Sequence, residues 1–138
     1  MDISVRRAAQ SDLEFVSQDG YTTMDAVRRK IGEGEVVLVE VDGEPAGYVR
    51  LEFLWSIRPY VALIRVLDRY RGRGLSRALL EYVETDLRGE GHTALFSSSQ
   101  VDEAEAQEWH RHMGFEECGM ITGLNEGGVG EVFFRKAL

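Results

Sequence analysis

The chain is 138 residues long, with a formal charge of −8, a pI near 4.9 and one cysteine. That length fits one domain, able to bury roughly two thirds of its unfolded surface without a metal or disulfide. The acidic balance argues against nucleic acid as a partner, and a lone Cys118 excludes an internal disulfide. The start, Met1-Asp2-Ile3-Ser4-Val5-Arg6-Arg7, lacks the apolar core of a secretory leader, and no apolar run approaches the ~18 residues of a membrane span. We therefore expect a cytoplasmic protein with no membrane partner.

In chain order, Ile3 to Ala8 alternates as a first strand. Ser11-Asp12-Leu13-Glu14 reads as a capping box opening a short helix that stops near Gly20. Thr22-Thr23-Met24-Asp25 repeats the signal, and Met24, Val27 and Ile31 give a second helix its apolar stripe before Gly32 and Gly34. Glu35 to Val41 is a strand, Asp42-Gly43 a turn, and Ala46 to Trp55 the returning arm of a hairpin. Along that arm Val49, Leu51, Phe53 and Trp55 share one face. Tyr48, Arg50, Glu52 and Leu54 share the other, which puts Glu52 on a mixed surface open to a ligand.

Tyr60 to Leu67 has the β-branched and apolar composition of a buried strand. It leads into Tyr70-Arg71-Gly72-Arg73-Gly74-Leu75-Ser76-Arg77, and Leu75, Leu79, Tyr82/Val83 and Leu87 then recur at helical spacing. A strand, a two-glycine turn and a helix form a phosphate-binding device, because glycine lets backbone approach a ligand and a helix start offers unpaired N–H groups at its positive end. Charge agrees: residues 58–77 carry six arginines against Asp68, a net +5, leaving −13 on everything else. Gly72-x-Gly74-x-x-Arg77 lacks the third glycine of the dinucleotide fingerprint, and no P-loop pattern is present. A compact phosphorylated ligand remains.

Thr93 to Ser99 reads as a strand with a polar exit, implying a parallel pair with the strand before the helix. A helix from Asp102 to Met113 follows, with Asp102 at its N-cap and Ala106, Trp109, His110 and Met113 inward. Phe115 to Ile121 and Glu131 to Lys136 are last strands around the loop from Gly123 to Gly130. His110 and His112 point to nearly opposite sides of one helix, so they are not a metal pair, and no metal is expected. The order βααβββαβαββ describes one mixed α/β fold.

Val66-Leu67-Asp68-Arg69-Tyr70-Arg71-Gly72-Arg73-Gly74-Leu75-Ser76 resembles the acetyl-CoA signature of the GNAT family of N-acetyltransferases, and Ala106-x-x-Trp109-His110-x-x-Met113-Gly114-Phe115 resembles the family's fourth helix and following strand. The resemblance implies a single-domain GNAT fold over residues 1–138, with a mostly antiparallel sheet and about four helices. It implies acetyl-CoA as cosubstrate, with the backbone of Arg71, Gly72, Arg73, Gly74, Leu75 and Ser76 cradling its pyrophosphate and the main chain of Val66 and Leu67 beside its pantetheine arm. The implied acceptor is a small-molecule or peptide amine, attacked in a ternary complex, and a homodimer is compatible with it.

An alkylamine with a pKa near 10.4 is almost wholly protonated at pH 7, so such a reaction needs a base, an oxyanion donor and a proton for the leaving thiolate. His110 occupies the place where the family often has a tyrosine proton donor, so it is the candidate acid, the alternative being a packed histidine. Glu52 is the candidate base, beside Asp68 and a water held by Ser97-Ser98-Ser99. The fourth strand lacks the usual carboxylate, and Glu103 replaces the family's asparagine. A non-catalytic acyl-CoA-binding or interaction module that keeps the turn is therefore the second reading.

Overall fold

The computed structural model describes residues 1–138. Its elements are β1 (Ile3–Arg7), α1 (Leu13–Val16), α2 (Met24–Gly32), β2 (Val36–Val41), β3 (Glu44–Leu54), β4 (Arg58–Val66), α3 (Leu75–Gly89), β5 (Ala94–Gln100), α4 (Ala104–His112), β6 (Glu116–Ile121) and β7 (Glu131–Ala137). This is the expected order. The strands run β1-β2-β3-β4-β5-β7-β6 across one seven-stranded sheet. Pairings β1–β2, β2–β3, β5–β7 and β6–β7 are antiparallel, whereas β4 and β5 pair in parallel with Tyr60 opposite Phe96. No helix is long and apolar enough to cross a membrane.

The chain divides into two compact units, one of Met1–Glu52 with Ala62–Asp86 and one of Phe53–Val61 with Leu87–Leu138. In the first, Asp42 and Gly43 turn the β2–β3 hairpin with φ of 51° and 81°, the positive values that match strand twist in a two-residue turn. Val36 to Val39 are all buried, so this strand reads as a continuous apolar run. Val16, Val27, Ile31, Val36, Leu38 and Tyr48 make the core, with the Phe15 ring edge-on to Tyr48 at 5.6 Å. On β3 a Cβ at Gly47 would lie 2.6 Å from the Arg65 carbonyl oxygen, so only glycine permits this approach to β4.

Two local details depart from the expected caps. The first helix opens not on Ser11 but through a 3-10 turn at Gln10–Asp12, with Asp12 Oδ2 accepting the Ala9 N–H at 2.7 Å. Arg6 is the cause: its guanidinium holds both Asp12 oxygens, at 2.7 and 3.1 Å, and also reaches Glu40 at 3.0 Å. The second helix is capped by Thr23, whose hydroxyl accepts from the Ala26 N–H at 3.1 Å.

In the second unit β5 alternates cleanly. Leu95, Ser97 and Ser99 are buried, while Phe96 and Ser98 are half-buried on the opposite face. The N-cap of α4 is Glu103 rather than Asp102, and its side chain makes no cap bond. One turn later Gln107 Nε2 instead reaches back to Ser99 Oγ at 2.8 Å and the Gln100 carbonyl at 3.1 Å. Gly114, at φ 92°, ends α4 and lets the Phe115 N–H return to the His110 carbonyl at 2.9 Å. Strand β6 is exposed along its whole length, as an edge strand paired only with β7.

Candidate functional site

The glycine turn is built outward. After β4, a 3-10 turn at Asp68–Tyr70 carries the chain into Gly72 and Gly74, both at φ 77°, a region costly for any residue with a Cβ. A Cβ added at either glycine would meet nothing within 4 Å, so open space lies over both. The first turn of α3 begins at Leu75, whose side chain is buried and seats the helix, while the Gly74 carbonyl takes the Ala78 N–H at 3.1 Å. The opening N–H groups of such a helix have no intrahelical acceptor and carry its positive end.

Side chains set the charge of this turn. The guanidinium groups of Arg69 and Arg73 lie 5.0 and 5.5 Å from the Tyr70 ring centre, so one aromatic ring steadies two cations. Arg71 makes a solvent-screened pair with Asp68 at 3.2 Å. On the approach, the Leu67 N–H donates to the Ala46 carbonyl at 2.9 Å, and Val66 sits against Gly47. Open glycines, a helix start and clustered arginines fit a pyrophosphate: a Cβ at Gly72 or Gly74 would occupy the space such a group needs.

His110 faces inward. It is 4% exposed, stacked on Phe134 with ring centres 4.3 Å apart, and edge-on to Trp109 and Phe115. Nδ1 lies 2.7 Å from the Ala106 carbonyl, which can only accept, so the ring proton is there. Nε2 lies 2.7 Å from Ser97 Oγ and takes its hydrogen. Burial pushes the imidazole below its ordinary pKa, against the Ala106 carbonyl and the charge of Glu131, which raise it. Burial thus favours the neutral ring of His110, and both nitrogens are in use.

Glu52 lies where β3 leaves the core. Its side chain is 57% exposed and 3.8 Å from Lys30, whose ammonium also donates to the Leu51 carbonyl at 2.7 Å. The alternation expected for β3 fails just before it, because both faces are buried from Ala46 to Leu51. Arg50, expected on the mixed face, is buried against Asp19, whose side chain is only 1% exposed. Its guanidinium donates to both Asp19 oxygens and, at 2.9 Å, to the Val16 carbonyl, while the Tyr48 hydroxyl donates to Asp19 at 2.7 Å. Burial alone would raise the Asp19 pKa, but the Arg50 and Tyr48 hydrogen bonds prevail and hold it well below the usual carboxylate range.

A further polar group, absent from the sequence-based candidates apart from Ser98, occupies the other face of β5. Tyr60 bonds Ser98, Ser98 Oγ donates to Glu131 Oε2 at 2.5 Å, and Asn125 Nδ2 donates to Glu131 Oε1 at 2.9 Å and to the Val129 carbonyl at 3.1 Å. Strand register brings it together: Ser98 lies opposite Phe133 across an antiparallel pair, so Glu131, two residues away, is its diagonal neighbour on that face.

Three comparisons set these features among known proteins. A streptothricin acetyltransferase from Streptomyces lavendulae is 30% identical over 115 residues, which are 83% of this chain and 58% of that protein, so the chain spans less than two thirds of its length. A GNAT-family acetyltransferase from Bacillus cereus superposes with a TM-score of 0.81 at 23% identity, covering 99% of this chain and 98% of that one. A protein from Bacillus anthracis, named for streptothricin acetyltransferase activity and solved with acetyl coenzyme A, superposes with a TM-score of 0.69 at 15% identity over 75% of this chain and 61% of that one. The model of the acetyltransferase (GNAT) family matches residues 4–115. The chain belongs to that family.

Proposed function

We propose that residues 1–138 form one acetyltransferase domain that moves the acetyl group of acetyl-CoA to a primary amine by direct attack in a ternary complex. The observation that carries this is the turn: two glycines at φ 77° under open space, opening the first turn of α3 among Arg69, Arg71, Arg73 and Arg77, in a chain of this family. The backbone of Arg71 to Ser76 binds the pyrophosphate, and Val66 and Leu67 run beside the pantetheine arm. The bound cosubstrate supplies an acetyl thioester. The residues around it hold it, and an amine that has lost its proton forms the new bond.

The acceptor we propose is a cationic amine of a small molecule or peptide, in keeping with the streptothricin acetyltransferase relative. His110 carries a different weight from the turn. To protonate a thiolate it would first have to gain a proton against its burial and release Ser97, so its bonds support a packed role. Glu52, as a base, would act from the exposed end of β3 beside Lys30.

The test is acetyl-CoA consumption against a panel of streptothricin, spermidine and an alanine-terminated peptide. Turnover with at least one amine is expected. Tight acetyl-CoA binding with no acceptor used would favour a binding module instead.

A further inference from the structure

The turns at Asp42-Gly43 and Trp55-Ser56 share one geometry but not one chemistry. Asp42 and Gly43 have the composition that positive φ favours. Trp55 and Ser56, at φ 55° and 66°, hold the same conformation without a glycine, and the Ile57 N–H closes their turn on the Leu54 carbonyl at 3.0 Å. Trp55 is also 83% exposed, with Ile57 at 57% and Leu54 at 37% beside it. An indole so far out adds nothing to the core, so neither turn chemistry nor packing accounts for it. Backbone strain under an exposed aromatic anchor is the mark of a contact with something outside the chain. The one charge in residues 53–61 is the exposed Arg58.

A surface of matching character lies in the same compact unit. On the side of α4 turned away from the buried Gln107 and His110, a shallow open groove of about 570 Å³ is lined by Ala104, Glu105, Glu108, Trp109 and His112. Trp109 is half-buried and supplies an aromatic wall, while Glu105 and Glu108 are exposed carboxylates. Arg111 lies 3.4 Å from Glu108 in a solvent-screened pair.

We propose that the Leu54-Trp55-Ser56-Ile57-Arg58 tip of one copy seats in the α4 groove of a second copy, with Trp55 against Trp109 and Arg58 between Glu105 and Glu108. The two patches complement each other in character and in charge: aromatic meets aromatic, and the tip's one cation meets two carboxylates. An anionic surface is a poorer occupant for the tip, because the unit that carries it has five basic against nine acidic residues, a net −4. Tip and groove are different patches, so every copy carries both halves of the contact. One tip covers less than the ~800 Å² per partner of a standard interface, so the association is weak and grows with concentration.

The experiment is sedimentation velocity of the full chain from about 10 to about 500 µM, a span suited to weak contacts. The weight-average mass should rise across it. Trp55→Asn with Ser56→Gly gives the turn residues suited to positive φ. This pair of changes should raise the association Kd about 30-fold, the scale of a lost aromatic anchor, and raise the melting temperature by about 3 °C. Opposite signs on the two readouts separate a docking residue from a structural one. Arg58→Glu and Glu108→Arg should each weaken association about 3-fold, and together in one chain they should recover most of it. A wild type monomeric at every concentration, association unchanged in the tip variant, or no recovery in the double reversal overturns the proposal. A monomeric wild type that binds phosphatidylcholine vesicles through Trp55 overturns it too, and assigns the tip to a lipid surface.

Discussion

At Gly72 and Gly74 the chain is exposed, with open space over both glycines; around His110 and around Asp19 the buried polar side-chain atoms are bonded inward. The first arrangement leaves room for something outside the chain. The second has used its capacity on the fold. The difference teaches that a polar residue type says little about function until one knows where its bonds are spent. Arg73 and Arg50 are the same residue, yet one rides on an aromatic ring beside a glycine turn and the other is locked to a buried carboxylate.

The sharpest way to break this contrast is Asp19→Ala. Removing one partner of a buried ion pair leaves Arg50 uncompensated, and a loss of about 3–5 kcal/mol of stability is expected, read by urea or thermal unfolding. The pH dependence has the same origin. Because the folded state holds Asp19 below its unfolded value near 3.9, its stabilisation is full above that pH and lost as pH falls through the lower folded value. The Ala variant should lack that part of the acid transition.

Gly74→Val comes next. It should weaken acetyl-CoA binding by about 100-fold or more, the worth of one or two charge-assisted hydrogen bonds at ~1.5–3 kcal/mol each. Valine at φ 77° adds a local strain of about 1–3 kcal/mol, visible as a lowered melting temperature. Normal calorimetric affinity would mean the turn binds nothing of that kind.

The smallest effect belongs to His110→Phe. Stranding the Ser97 hydroxyl and the Ala106 carbonyl should cost about 1–3 kcal/mol of stability. Acetyl-CoA affinity should not change. In the wild type the folded state resists protonating His110, so stability should decline as pH falls below the unfolded value near 6.5. The variant should lose that slope. A fall in turnover far exceeding the fall in stability would make His110 a proton donor after all.

The element order, the parallel β4–β5 pair and the glycine turn were legible because each rests on local signals: period-two and period-3.6 apolar patterns, glycine, and charge along the chain. Where strand alternation met a long-range partner it failed. Nothing near Arg50 announces that Asp19, from the α1–α2 connection, will bury it. Ser11 lost its expected cap for the same reason, since Arg6 and Glu40 rearranged Asp12 across two strands. The bonds from Ser98 to Tyr60 and Glu131 needed strand register, which sequence supplies only once the pairing is known.

The Asp19 latch also bears on how this protein can change over generations. The carboxylate pins the base of its loop to β3, and it also accepts the Tyr21 N–H at 3.0 Å, while the Tyr21 side chain stands 80% exposed beyond it. The stretch from Gly20 to Thr22 is exposed and adds nothing to the core. A lineage can rewrite Tyr21 and Thr22 while the latch keeps the hydrophobic interior sealed, whereas Gly20, at φ 72°, is held to glycine. Diversity at Tyr21 and Thr22 is therefore cheap, and a library aimed at those two positions is expected to keep most of its members folded.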